Sequence, residues 1–88
     1  MTTSDVKIAL LDDSNYGTWE FRVSALSVEK GYDSVIKDGL EDAASDEDKR
    51  LDTKAHSFLC LHVSDQFQSV CKASKTSKEL WDNMKDLF

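Results

Sequence analysis

Apolar residues fall at helical intervals through most of the chain. Tyr16, Trp19, Val23 and Leu26 recur at spacings of three, four and three, which puts all four on one face of a helix. The polar cluster Asp12-Asp13-Ser14-Asn15 offers a side-chain cap from Ser14 or Asn15, and Gly31 offers a left-handed stop, so the helix is predicted from about Asn15 to Lys30. A short second helix, Tyr32 to Lys37, would bury Val35 and Ile36 and end before Gly39. Ser45 and Asp48 have the spacing of a capping box for a third helix that continues to about Val63, with Leu51, Ala55, Phe58, Leu59 and His62 on one side. Ser64-Asp65 opens a short helix carrying Phe67, Val70 and Cys71. Thr76 and Glu79 form a second capping box, which leads into Leu80, Trp81, Met84, Leu87 and Phe88. Ahead of the first helix, Val6, Ile8 and Leu10 alternate with Lys7 and Ala9. That period of two predicts an extended arm with one apolar edge, lying through those three residues on the helical body, its own or a neighbour's.

The pattern is all-α: a small orthogonal bundle of about five helices with a short extended N-terminal arm. Residues 1–12 form the arm and 13–88 the helical domain. The expected core comprises Tyr16, Trp19, Val23, Leu26, Ala55, Leu59, Leu80 and Trp81. With 88 residues, such a domain buries only roughly 60–65% of its unfolded surface, so its core is thin. The chain ends on Leu87-Phe88, in the middle of an apolar face. Domain boundaries are usually polar, so this chain is expected to be part of a longer protein.

Charge and composition narrow the functional classes. Seventeen acidic residues outnumber eleven basic ones, for a net charge of -6. That balance repels phosphate backbones and argues against RNA contact through this segment. No apolar run approaches the roughly 20 residues that cross a bilayer, so no membrane partner is expected. Two cysteines make no disulfide framework, and the expected compartment is reducing, intracellular and cytoplasmic. His56 and Cys60, four apart on the third helix, are two potential metal ligands with no second pair at metal spacing. Neither Cys60 nor Cys71 has the setting of a nucleophile, and the three glycines form no phosphate cradle. Lys72, Lys75 and Lys78 read as a solvated junction. Catalytic residues, metal sites and cofactors are therefore all expected to be absent.

One feature goes beyond a core. Phe21, Ala25 and Val28 lie on the first helix at spacings of four and three, away from Trp19 and Val23. The helix is thus apolar on two sides, and the second side is a candidate self-association interface anchored by Phe21.

The stretch L-L-D-D-S-N-Y-G-T-W-E-F-R-V-S-A-L resembles the start of Gag polyproteins of copia-type LTR retrotransposons, in which an apolar residue and a polar turn precede an Asn- or Lys-Tyr pair and a Trp. Leu11, Asn15, Tyr16 and Trp19 match; a glycine is common where this chain has Asp13. Gly31 to Ile36 with Asp38-Gly39, then Ala55, Leu59 and Val63, then Ser64 to Phe67, then Thr76 to Trp81 continue the resemblance in order. The third helix lacks the Trp often found near its start. The resemblance implies an N-terminal capsid lobe that assembles with copies of itself into virus-like particles, in an active element or a domesticated host gene. RNA would be held only by regions outside this chain. In a domesticated relative, an apolar groove could instead hold a peptide.

Overall fold

The structure, a computed structural model, describes residues 8–88. Five α-helices follow one another: α1 Tyr16–Lys30, α2 Asp33–Lys37, α3 Asp46–Cys60, α4 Gln68–Ala73 and α5 Ser77–Asp86, with a 3-10 turn at Asp65–Phe67 running into α4. The described residues contain no strand beyond a single parallel bridge, Leu11 to Val63. The fold is all-α.

Local chemistry sets the helix ends. Gly31 closes α1 at φ 78°, and the backbone N–H groups of Gly31 and Tyr32 return to the Val28 and Ser27 carbonyls. Ser45 caps α3 through its hydroxyl, which accepts from the Asp48 N–H at 3.1 Å, and Asp48 accepts the Ser45 N–H in return. Thr76 caps α5 by accepting from the Glu79 N–H. Glu79, however, reaches back to the N–H of Lys75, one residue before the cap. At α1 the expected cap does not form. Asn15 holds the cap position without a side-chain bond into the helix. Its carboxamide turns the other way, accepting from the Asp12 N–H and donating to the Leu10 carbonyl. Asn15 therefore fastens the arm to the start of α1.

The arm itself departs from the period-two reading. Leu11 is fully buried, Leu10 is 48% exposed and Ile8 is half-buried against the core. Leu10 is thus not buried on its own helical body, where Leu11 takes that place, and Val6 lies outside the described residues. The reason is register. The Leu11 N–H donates to the His62 carbonyl and the Leu11 carbonyl accepts from the Ser64 N–H, so the bridge turns Leu11 inward. A one-residue slip in an extended segment exchanges its two faces. The same bridge ends α3 early. Val63 must be extended to pair with Leu11, so the helix stops at Cys60 rather than near Val63.

The core joins Leu11, Trp19, Val23, Val35, Ile36, Ala55, Phe58, Leu59, Val63, Phe67, Leu80, Trp81 and Met84. Tyr16 and Leu26 sit at its margin, half-buried. Trp19 stacks on Trp81 with ring centroids 5.7 Å apart. The described body measures 38 × 36 × 18 Å. A slab this thin holds no more than two layers of helices, so each helix keeps one side open to water.

Candidate interaction surface

The open side of α1 carries Phe21, Ala25 and Val28. At about 100° per residue the three fall within roughly 60° of arc, on the side away from Trp19 and Val23. Phe21 is 76% exposed and Val28 58% exposed, and Ala25 is exposed between them. Beside Phe21 a cleft of about 500 Å3 opens between α1, α2 and α5. The buried Trp81 borders it, and its charged residues are Glu20 and Asp82 against Lys37 and Lys85. Within this set Asp82 is already engaged by Lys78 along α5.

The groups that could carry chemistry are engaged in structure. His56 ties α3 to α4: its Nε2 lies 2.9 Å from the Ser74 carbonyl and 3.2 Å from that of Cys71, so Nε2 carries the hydrogen and donates. Its Nδ1 faces the Cys60 thiol at 3.6 Å. His56 is thus half-buried. Burial, and then the neighbouring Cys60 thiol, push the Cys71 thiol up to about 12, which leaves it without thiolate character. His62 donates from Nδ1 to the Phe58 carbonyl, while its own carbonyl accepts from both Leu11 N–H and Trp19 Nε1. Among the described residues there is no cluster of three or more His, Cys, Asp or Glu side chains suited to a metal ion. None of the described helices is long and apolar enough to cross a membrane. At the α1 entry, the backbone N–H and the hydroxyl of Ser14 hold the exposed Asp12 carboxyl below its usual range.

Tyr16 links the surface to the core. Its ring stacks on Phe88 at 4.8 Å and its hydroxyl donates to Glu20. Partial burial, and then the Glu20 charge, raise the phenol to about 12. A raised phenol pKa means that the folded state holds the proton more tightly. Its stabilising contribution is complete below the ordinary value of 10 and is lost as pH climbs toward 12. An absorbance titration is expected to show one phenol ionising near pH 12, a phase that Tyr16→Phe removes. If the late phase survives in that variant, the assignment fails.

No protein-family profile, curated protein or solved structure matches the chain.

Sequence reasoning singled out the α1 ridge but missed three residues that matter. Leu11 was readable as the apolar residue ahead of the turn but not as the docking residue. Asp52 lies on α3 three before Ala55 and seven before Leu59, a helical-face signal. Leu61 is the third: it caps the end of α3 and stands exposed, off the face that carries Ala55, Phe58 and Leu59.

Proposed function

We propose that this chain is a structural assembly domain, the N-terminal capsid lobe of a copia-type Gag or of a domesticated relative. Copies would associate through the Phe21–Ala25–Val28 side of α1. The observation that carries this reading is an exposed aromatic on a continuous apolar ridge, in a molecule too thin to cover it. Isolated exposed apolar residues are common, but a ridge that runs two turns of helix around an aromatic is what an interface anchor requires. The mixed charges of the neighbouring cleft give the contact a direction without a net repulsion at the site. The ordered resemblance of five segments to copia-type Gag supplies the class of assembly: a particle shell in the cytoplasm, with RNA bound by parts of the protein outside this chain. The reading asks for no catalytic group and no cofactor.

Sedimentation over a concentration series tests it. Phe21→Asp is expected to weaken self-association at least about 30-fold, the loss of an interface anchor worth about 2 kcal/mol. Its melting should stay within roughly 0.5 kcal/mol of wild type, because the side chain is exposed. Unchanged association, or a variant that loses its helical signal, would reject the assignment of Phe21.

A further inference from the structure

A second surface feature owes nothing to the α1 ridge. Where the end of α1, the start of α2 and the second half of α3 meet, a groove of about 430 Å3 opens. Its apolar lining is Tyr32, Phe58 and Leu61, with His62 beside them. Phe58 packs against Tyr32 at 5.4 Å and against the His62 ring at 4.7 Å, so the floor is a fixed aromatic row. Leu61 stands 76% exposed at its edge. The size is that of ligand clefts, roughly 300–1,000 Å3.

The charge of this groove runs against that of the chain. The whole chain has seventeen acidic and eleven basic residues, yet the groove is lined by Lys30 and Lys54 and by no carboxylate. Neither lysine forms an ion pair among the described residues. Lys30 ends α1, where a cation complements the helix dipole, so it alone would need no further explanation. Lys54 has no such reason. It lies in mid-helix, with Arg50, Leu51, Ser57 and Phe58 at the positions three and four away, so no carboxylate on α3 can pair with it. The net charge of -6 opposes an acidic ligand at long range. Screening limits that opposition to about 8–10 Å at physiological salt, and the formal charges of the groove lining itself are those of the two lysines.

We infer that this groove binds an acidic peptide segment through one bulky apolar side chain, which seats on Tyr32, Phe58 and Leu61 while flanking carboxylates meet Lys30 and Lys54. The inference is independent of the assembly reading, since it uses none of Phe21, Ala25 or Val28. Fluorescence anisotropy with the whole chain tests it. The probes are short labelled peptides with one leucine or aromatic residue between acidic flanks, together with the same peptides carrying lysine flanks. Acidic-flanked probes are expected to bind with Kd on the order of micromolar. Leu61→Ser, at an exposed position, should weaken binding about tenfold. Lys30→Glu with Lys54→Glu should reverse the preference toward the lysine-flanked probes. Circular dichroism of each variant confirms an unchanged fold. The inference is overturned if no acidic-flanked probe binds, or if binding ignores both sets of substitutions. It is overturned too if Leu61→Ser abolishes association between copies of the chain without any peptide binding, which would make the groove a self-contact. Loss of self-association in Phe21→Asp with peptide binding intact would keep the two surfaces distinct.

Discussion

Trp19→Ala is expected to cost roughly 3–5 kcal/mol and to leave the domain barely folded. Trp19 is 2% exposed, and three separate interactions end with it. Its ring fills the space between Tyr16, at 6.1 Å, and Trp81, at 5.7 Å. Its Nε1 donates to the His62 carbonyl at 2.7 Å. That carbonyl also receives the Leu11 N–H, so it is the point where the arm and α1 both meet the end of α3. The alanine removes the indole and leaves a cavity between two layers that have little other core to close it. A domain of this size holds only about 4–13 kcal/mol in total, at roughly 0.05–0.15 kcal/mol per residue. Melting should fall by roughly 12–40 °C, taking 4–8 °C per kcal/mol. Trp19→Phe separates packing from the hydrogen bond: it keeps most of the ring and should recover more than half of the loss. Thermal melts followed by far-ultraviolet circular dichroism decide the matter. A Trp19→Ala melt within a degree or two of wild type would show that the Trp19–Trp81 stack is dispensable.

The helices were legible because their signals are local. Period, caps and Gly31 all act within a few residues, so five helices and most of their starts can be read directly from the chain. What could not be read is where a distant segment overrides the local pattern. The α3 pattern continues to Val63, but the helix stops at Cys60 because Leu11, some fifty residues earlier, claims Val63 for a bridge. The same contact turns Leu11 inward and Leu10 outward, against the alternation that pointed to Leu10. Asn15 has the right chemistry for a cap, but it spends its side chain on the arm.

The two surfaces differ in legibility for the same reason. Phe21, Ala25 and Val28 share one helix, so their spacing alone groups them. The open solvent in front of them follows from the thickness of the fold. The groove of Tyr32, Phe58 and Leu61 draws on the α1–α2 connection and on the end of α3, with lysines from two helices. No periodicity joins these residues. Leu61 lies off the apolar face of α3, so the helical period gives no sign that it borders a groove.

The second large effect is expected at Asp52, a carboxylate buried with no cation beside it among the described residues. It belongs to α3, yet its work is done at α5. Its Oδ1 accepts from the Ser77 N–H at 3.0 Å and from the Ser77 hydroxyl at 2.5 Å. Ser77 is the first residue of α5, so its N–H is one of the donors that a helix start leaves without an internal partner. The positive end of the α5 dipole faces the carboxylate and takes the place of a cation. The Ser77 hydroxyl lies within 3.3 Å of the Val35 carbonyl as well, so α2, α3 and α5 meet at this one serine. Asp52→Ala removes a charged acceptor and strands the buried Ser77 N–H, while the Ser77 hydroxyl can still donate to the Val35 carbonyl, for an expected loss of roughly 1–3 kcal/mol. Asp52→Asn keeps an oxygen acceptor without the charge and should cost about half as much. Ser77→Ala removes the hydroxyl but leaves the backbone bond, and should cost about 1 kcal/mol. If these bonds act as one unit, urea unfolding of Asp52→Ala, Ser77→Ala and the double variant will show a coupling of roughly 0.5–3 kcal/mol. Additive losses, or an Asp52→Ala variant within about 0.5 kcal/mol of wild type, would mean that α5 is held by Leu80, Trp81 and Met84 alone and that Asp52 is a tolerated burial with no structural role.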